Sequence, residues 1–349
     1  MTVDSGVLSD ADALRGQLLG VLRLLTGSPV LEFAQPPERL TGGFWAELMA
    51  FSLTDPPEGW AGELVARLMP DPGVARKETI IQAAVAAAGF PTPAVRASGG
   101  PAAGLGRAFM IMDKAAGRPL LSGLAGTAAI RHRTSLFRRI PDSLAAVMAT
   151  LHSLDPGPVA SQLASAGDVG GSIGSLLQAQ RRMATSFERT DLTEAAKWLT
   201  EHPPVPVPDV VCHGDLHPFN LLIDGDRATV LDWSSALVGP RAHDLAFTSL
   251  LLAEPPLAVP GWLRPVLRFA GRRLAGRFIR SYQRYCGATA SSAELQWHQA
   301  LVCLRALVEV SGWAYEGRVH SHAGHPWLVL GPAFAERLTA TTGVRVRAR

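Results

Sequence analysis

Apolar residues recur at helical spacing near the start of the chain. Leu14, Leu18, Val21, Leu22 and Leu25 predict an amphipathic helix over residues 10–25, with Ser9 or Asp10 as N-cap. From 31 to 70 the pattern changes to short apolar runs separated by turn residues, and 44–53 and 62–68 read as strands of an antiparallel sheet. An alanine-rich helix over 74–89 ends at a glycine, the stiff Pro91-Thr92-Pro93 follows, and 108–112 is a further short strand. Beyond that the pattern is mainly helical. Residues 141–154 are amphipathic, 155–175 read as a loop, and 173–200 as helix. The proline-valine alternation of 202–209 reads as an extended linker, and 264–286 and 295–313 as two long helices.

This divides the 349 residues into a strand-rich part, 1–113, and a helix-rich part, 114–349. The expected class is α+β, in two lobes, since so long a chain outgrows one compact core. Hydrophobic residues at 47% provide for burial. The net charge of +3 comes from 33 basic and 30 acidic residues, a balance that makes no case for a nucleic-acid or membrane partner. Cys212, Cys286 and Cys303 are too scattered for a metal pair or disulfide framework. The first ten residues are polar, unlike a signal peptide, and glutamate and prolines interrupt the apolar stretch 246–262, so a cytoplasmic protein is expected.

The chemistry is concentrated in V-V-C-H-G-D-L-H-P-F-N-L-L-I-D-G-D-R-A-T-V-L-D-W, residues 210–233. Asp215 and Asn220 stand five apart around Pro218. Two short strands joined by Asp224-Gly225-Asp226, an Asp-Gly hairpin signal, then bring the chain back to Asp232. Two carboxylates and an amide oxygen suit magnesium, a hard cation that takes oxygen ligands. Phosphoryl transfer asks a protein mainly for positioning, charge neutralisation and one carboxylate to orient the attacking hydroxyl. Asp215 is the candidate base, and Asn220 and Asp232 the candidate metal ligands.

H-G-D-L-H-P-F-N-L-L followed by V-L-D-W resembles the signature of the aminoglycoside phosphotransferase and choline kinase family, which has a protein-kinase-like fold. The resemblance implies ATP or GTP with Mg²⁺ in a cleft between two lobes and a small-molecule hydroxyl acceptor on the helical side. It also implies a glycine turn at Gly42 and Gly43 over the nucleotide. Arg67 would reach the phosphates where the family has lysine, with Glu78 as its partner. The hinge at Met112 and Asp113 would bind the base, and Asp244 would be structural. The main alternative is a kinase-like module that binds nucleotide without turnover. A protein kinase would show arginine at Gly214 and D-F-G at Asp232.

Other motifs have blander readings. His213 braces the loop, and His217 is open to substrate. Gly170-Gly171-Ser172-Ile173-Gly174 fits a hydrolase elbow but has no strand before it. His320, His322 and His325 lack a cysteine or carboxylate partner for zinc. The arginines of 264–286 read as a solvated face. After residue 250 acids are few against many arginines and aromatics, so the expected acceptor is neutral or anionic with an apolar body rather than a polycationic aminoglycoside.

Overall fold

The computed structural model describes residues 5–40, 46–120, 128–167, 170–256 and 260–348. They fall into two units, Met1–Gly117 with Leu222–Ser234 and Arg118–Leu221 with Ser235–Arg349.

In the first unit, helix α1 (Ser5–Thr26) precedes strands β1 (Glu38–Leu40), β2 (Glu47–Phe51) and β3 (Leu64–Met69). Helix α2 (Pro72–Ala87) and strands β4 (Val95–Gly99) and β5 (Ala108–Asp113) follow. The sheet is antiparallel in the order β1-β2-β3-β5-β4. Strand β3 is buried on both faces, and its alternation sorts the neighbours. Leu64, Ala66 and Leu68 join Leu18 and Leu22 of α1 in one core. Met69 packs with Ala75 of α2 and Met110 in another. Arg67 has the parity of Met69, so its side chain leaves the sheet toward α2. Asp71 caps α2, accepting the backbone N–H groups of Gly73 and Val74.

The hairpin expected from Asp224-Gly225-Asp226 is present, pairing Leu221–Asp224 with Arg227–Val230 across Gly225 at φ 58°. Its Leu222–Val230 portion belongs to the first unit, although it lies beyond the boundary expected after residue 113. Hydrogen bonds to the Pro91-Thr92 segment explain this. Val230 N–H donates to Pro91 O (2.9 Å), Thr92 Oγ1 to Val230 O (2.9 Å) and Trp233 Nε1 to Thr92 Oγ1 (2.8 Å).

The second unit contains α3 (Ala128–Leu151), α4 (Gly157–Ser165), α5 (Ile173–Ser186), α6 (Thr190–Glu201), β6 (Asp209–Cys212) and β7 (Leu237–Pro240). Then come α7 (Ala242–Ala253), α8 (Arg264–Cys286), α9 (Ser292–Tyr315) and α10 (Pro326–Thr342). Its largest core is built on α9, with α5, α6, α7 and α10 around it. Three expectations need correction. The loop expected over 155–175 contains α4, which anchors through Val159 and Leu163 despite its small residues. The helical run over 173–200 is two helices, broken at Glu188, whose φ is 57°. Pro141 lies inside α3 instead of starting a helix.

Candidate active site

Strand β6 delivers the chain into the loop that carries Asp215. Gly214 there has φ 74°, and an added Cβ would stand 2.3 Å from Ser235 O, so only glycine fits. The loop hangs on Asp244, in the first turn of α7. Its carboxylate accepts the backbone N–H of His213 (2.8 Å) and of Gly214 (2.6 Å). His152 Nε2 lies 3.1 Å from the same carboxylate, and His152 Nδ1 lies 2.8 Å from the Tyr282 hydroxyl. Burial alone would raise the Asp244 pKa, but the hydrogen bond and charge of His152, with His243 and His213, bring it down to about 2. Asp244 is therefore an ionised, fully buried anchor for the loop backbone.

The side chains of the loop complete the arrangement. Asp215 N–H donates to His213 Nδ1 (3.3 Å), so His213 braces the loop. Asn220 Nδ2 donates to Asp215 O (3.0 Å), and Thr248 Oγ1 donates to Leu216 O (2.7 Å). The Asp215 carboxylate is partly open. His217 Nε2 lies 3.7 Å from its Oδ2, and Arg305 Nη2 of α9 lies 3.9 Å from its Oδ1. Arg305 also donates through Nη1 to Gly214 O at 3.1 Å. One turn further along α9, Glu309 accepts from Trp327 Nε1 (3.3 Å). Burial pushes its pKa up to about 7 against the pull of Arg305.

A second constellation lies in the first unit. Arg67 is buried, with Nε 3.2 Å from Glu78 Oε1 and Nη2 3.1 Å from Asp232 Oδ1. The guanidinium loses hydration there, but Glu78 and Asp232 more than compensate and keep it charged. Burial pushes Glu78 up to about 7 even beside Arg67. Asp232 holds φ 63°, a left-handed backbone that is costly for a residue with a side chain. Its Oδ1 stabilises the turn by accepting from Ser234 Oγ (2.7 Å) and Ser234 N–H (3.3 Å).

The other expected site residues are less concentrated. Gly42 and Gly43 lie outside the described residues. Met112 and Asp113 end β5, next to the Gln82 amide and Arg96 respectively; the Arg96–Asp113 pair is bidentate at 2.6 and 2.8 Å. Ser172 caps α5, its Oγ accepting Ser175 N–H, which accounts for the glycine-serine motif. His322 stacks on Trp313, and His325 caps α10.

Sequence reasoning missed Arg305, Glu309, His152 and Tyr282. For the first two a signal exists: they are the charged residues in V-C-L-R-A-L-V-E-V, four apart on one face of an otherwise apolar helix. His152 and Tyr282 meet only through the packing of α3 on α8.

Residues 50–295 match the model of the phosphotransferase enzyme family, a span that includes Arg67, Glu78, Asp215, Asn220, Asp232 and Asp244. The chain belongs to that family. Arg305 and Glu309 lie past the matched span of this phosphotransferase. No curated protein matches it in sequence. Its fold is similar to that of a Ralstonia eutropha JMP134 protein proposed to be an aminoglycoside phosphotransferase. Identity is 18%, TM-score 0.62, and 95% of this chain and 97% of that one are covered. It is also similar to a thermostable mutant of aminoglycoside phosphotransferase APH(4)-Ia in ternary complex with ADP and hygromycin B, at 15% identity, TM-score 0.56, and 92% and 98% coverage. A macrolide 2'-phosphotransferase type I matches at 16% identity and TM-score 0.54, with 100% of both chains covered.

Proposed function

We propose that this phosphotransferase moves the γ-phosphoryl group of ATP or GTP onto a hydroxyl of a small molecule, with Asp215 as general base. The observation that carries this reading is the support around Asp215. Its backbone is fixed through Asp244, His213 and Asn220, while its carboxylate stays partly open to solvent. A base must meet the incoming hydroxyl within hydrogen-bond reach, and a fixed loop removes the entropy of that search.

Asn220 and Asp232 fit a magnesium ion by their donor chemistry. The Asn220 amide nitrogen is committed to Asp215 O, which leaves its oxygen as a hard donor. Asp232 offers a carboxylate, a hard oxygen donor, with Oδ1 engaged by Arg67 and Ser234. Magnesium bound through these oxygens would neutralise and orient the phosphates. Arg67 holds Asp232 in its strained turn and keeps Nη1 as the donor for phosphate, while Glu78 fixes the guanidinium from the other side. Met112 and Asp113 contribute backbone groups to the base.

The acceptor is a neutral or anionic hydroxyl compound with an apolar body. The basic side chains beside the Asp215 carboxylate are Arg305 and His217, and neither suits a polycation. Burial pushes the neighbouring carboxyl, Glu309, up to about 7 and so weakens its claim on a cation. Phe219 is 63% exposed two residues from His217 and offers an apolar contact.

The test is ADP or GDP release over a panel of macrolides, hydroxy acids, lipid alcohols and aminoglycosides, with magnesium titrated at fixed nucleotide. Turnover with the neutral or anionic compounds, and a higher magnesium requirement in Asp232→Asn, is expected. Nucleotide binding with no release on any compound would leave the silent module instead.

A further inference from the structure

Although the chain is nearly balanced in charge, α8 is not. It contains seven arginines and no acid. Three of them have ion pairs: Arg268 with Glu254, and Arg277 and Arg284 with Asp142. Arg264, Arg272, Arg273 and Arg280 have no ion pair among the described residues, and all four are exposed.

The buried line of α8 runs through Gly271, Phe278, Ser281 and Tyr282. At 3.6 residues per turn, the side farthest from that line carries Phe269, Arg273 and Arg280, with Val266 beside them. Trp262 stands in the turn just before. A solvated helix presents polar groups on this side. Here Trp262 is 75% exposed, Val266 63% and Phe269 59%. The Arg273 guanidinium lies over the Phe269 ring, 4.8 Å from its centroid. At the other end of the helix, Arg280, Gln283 and Arg284 line an open crevice of about 570 Å³.

We propose that this face of α8 is a peripheral membrane-binding surface that recognises anionic phospholipid. Tryptophan, valine and phenylalanine on the outer line would enter the headgroup boundary. The arginines, on long apolar stems, would pair with lipid phosphates at the same depth. No helix among the described residues is long and apolar enough to cross a membrane, so attachment is to the surface. Charge argues against the competing occupants. A second copy docked face to face would set one acid-free arginine helix against another. A nucleic acid would satisfy the arginines but leave Val266 and Phe269 unused. The proposal is independent of the phosphotransfer reading.

The experiment is co-sedimentation of the full chain with vesicles of phosphatidylcholine alone and of phosphatidylcholine mixed with phosphatidylglycerol. Binding to the mixed vesicles, absent from the neutral ones and weakened by salt, is expected. Arg272→Ala/Arg273→Ala should lower it about 25-fold, at roughly fivefold per arginine near an anionic surface. Trp262→Ala/Phe269→Ala should lower it at least about tenfold through lost apolar burial. Both variants should keep the wild-type melting temperature and nucleotide turnover in solution. No binding to mixed vesicles, equal binding to both kinds, or binding unchanged by the Trp262/Phe269 variant overturns the proposal. The last result would leave simple electrostatic attraction, as to an acidic protein or nucleic acid.

Discussion

The Asp244 carboxylate accepts the Gly214 backbone N–H at 2.6 Å, thirty residues back along the chain, and so ties the start of α7 to the loop that carries Asp215. With the His213 N–H on its other oxygen, one buried charge organises two consecutive peptide groups.

Asp244→Ala should therefore damage both stability and rate. Hydrogen bonds to a charged group contribute about 1.5–3 kcal/mol each, and the two amides would be left buried without an acceptor. A loss of at least ~3 kcal/mol in urea unfolding is expected. Asp244→Asn, which keeps acceptor oxygen but no charge, should lose less. Because the folded pKa is depressed to about 2, the wild-type contribution is present above the usual carboxylate range and disappears as pH falls toward 2. A variant as stable as wild type at pH 7 would remove Asp244 from this role.

Arg67 bridges Glu78 and Asp232, so Arg67→Ala leaves Glu78 buried without its cation. Breaking such a pair from one side costs about 3–5 kcal/mol. The apparent constant for nucleotide should rise and the rate fall, with the acceptor constant little changed. Arg67→Lys keeps one charge without the planar fork and should recover part of the stability. Steady-state kinetics in both substrates decides it: movement of the acceptor constant alone would place Arg67 on the wrong side of the reaction.

Glu309 gives a pH-dependent prediction. Its folded pKa of about 7 lies above its ordinary value of 4.5, so the folded protein holds an extra proton between those limits. That contribution to stability is complete below 4.5 and is lost as pH rises through 7. Glu309→Gln cannot titrate. The melting temperature of wild type minus that of the variant should fall from pH 5 to pH 8. A difference that stays constant over this range would show that Glu309 does not hold the proton.

Elements with a strong local pattern were legible in the sequence. The strand expected over 62–68, the alanine-rich helix that became α2 and the Asp-Gly hairpin each follow from side-chain pattern over a few residues. Arg67 and Glu78 were legible as a pair only through the family resemblance, and the structure places them 3.2 Å apart. Helix α4 was not, since glycine, serine and alanine carry little periodicity and its burial depends on the rest of the unit. The contact of Arg305 with the Asp215 loop crosses 91 positions, and that of His152 with Tyr282 crosses 130. No local pattern encodes such contacts. The segregation of charge on α8 was visible as arginines, but its mixing with exposed Trp262, Val266 and Phe269 required the helix to be placed against its core.

The assignment of Asp215 as base is the centre of this account, and the most direct measurement is turnover by Asp215→Asn on the best acceptor, with nucleotide affinity and melting temperature measured in parallel. Asparagine keeps the size of the side chain and the backbone contacts made by Asp215 N–H and O. Affinity and folding should stay near wild type, while turnover falls on the order of 100- to 10,000-fold, the usual worth of a general base. A variant that keeps more than about a tenth of wild-type turnover would contradict the assignment.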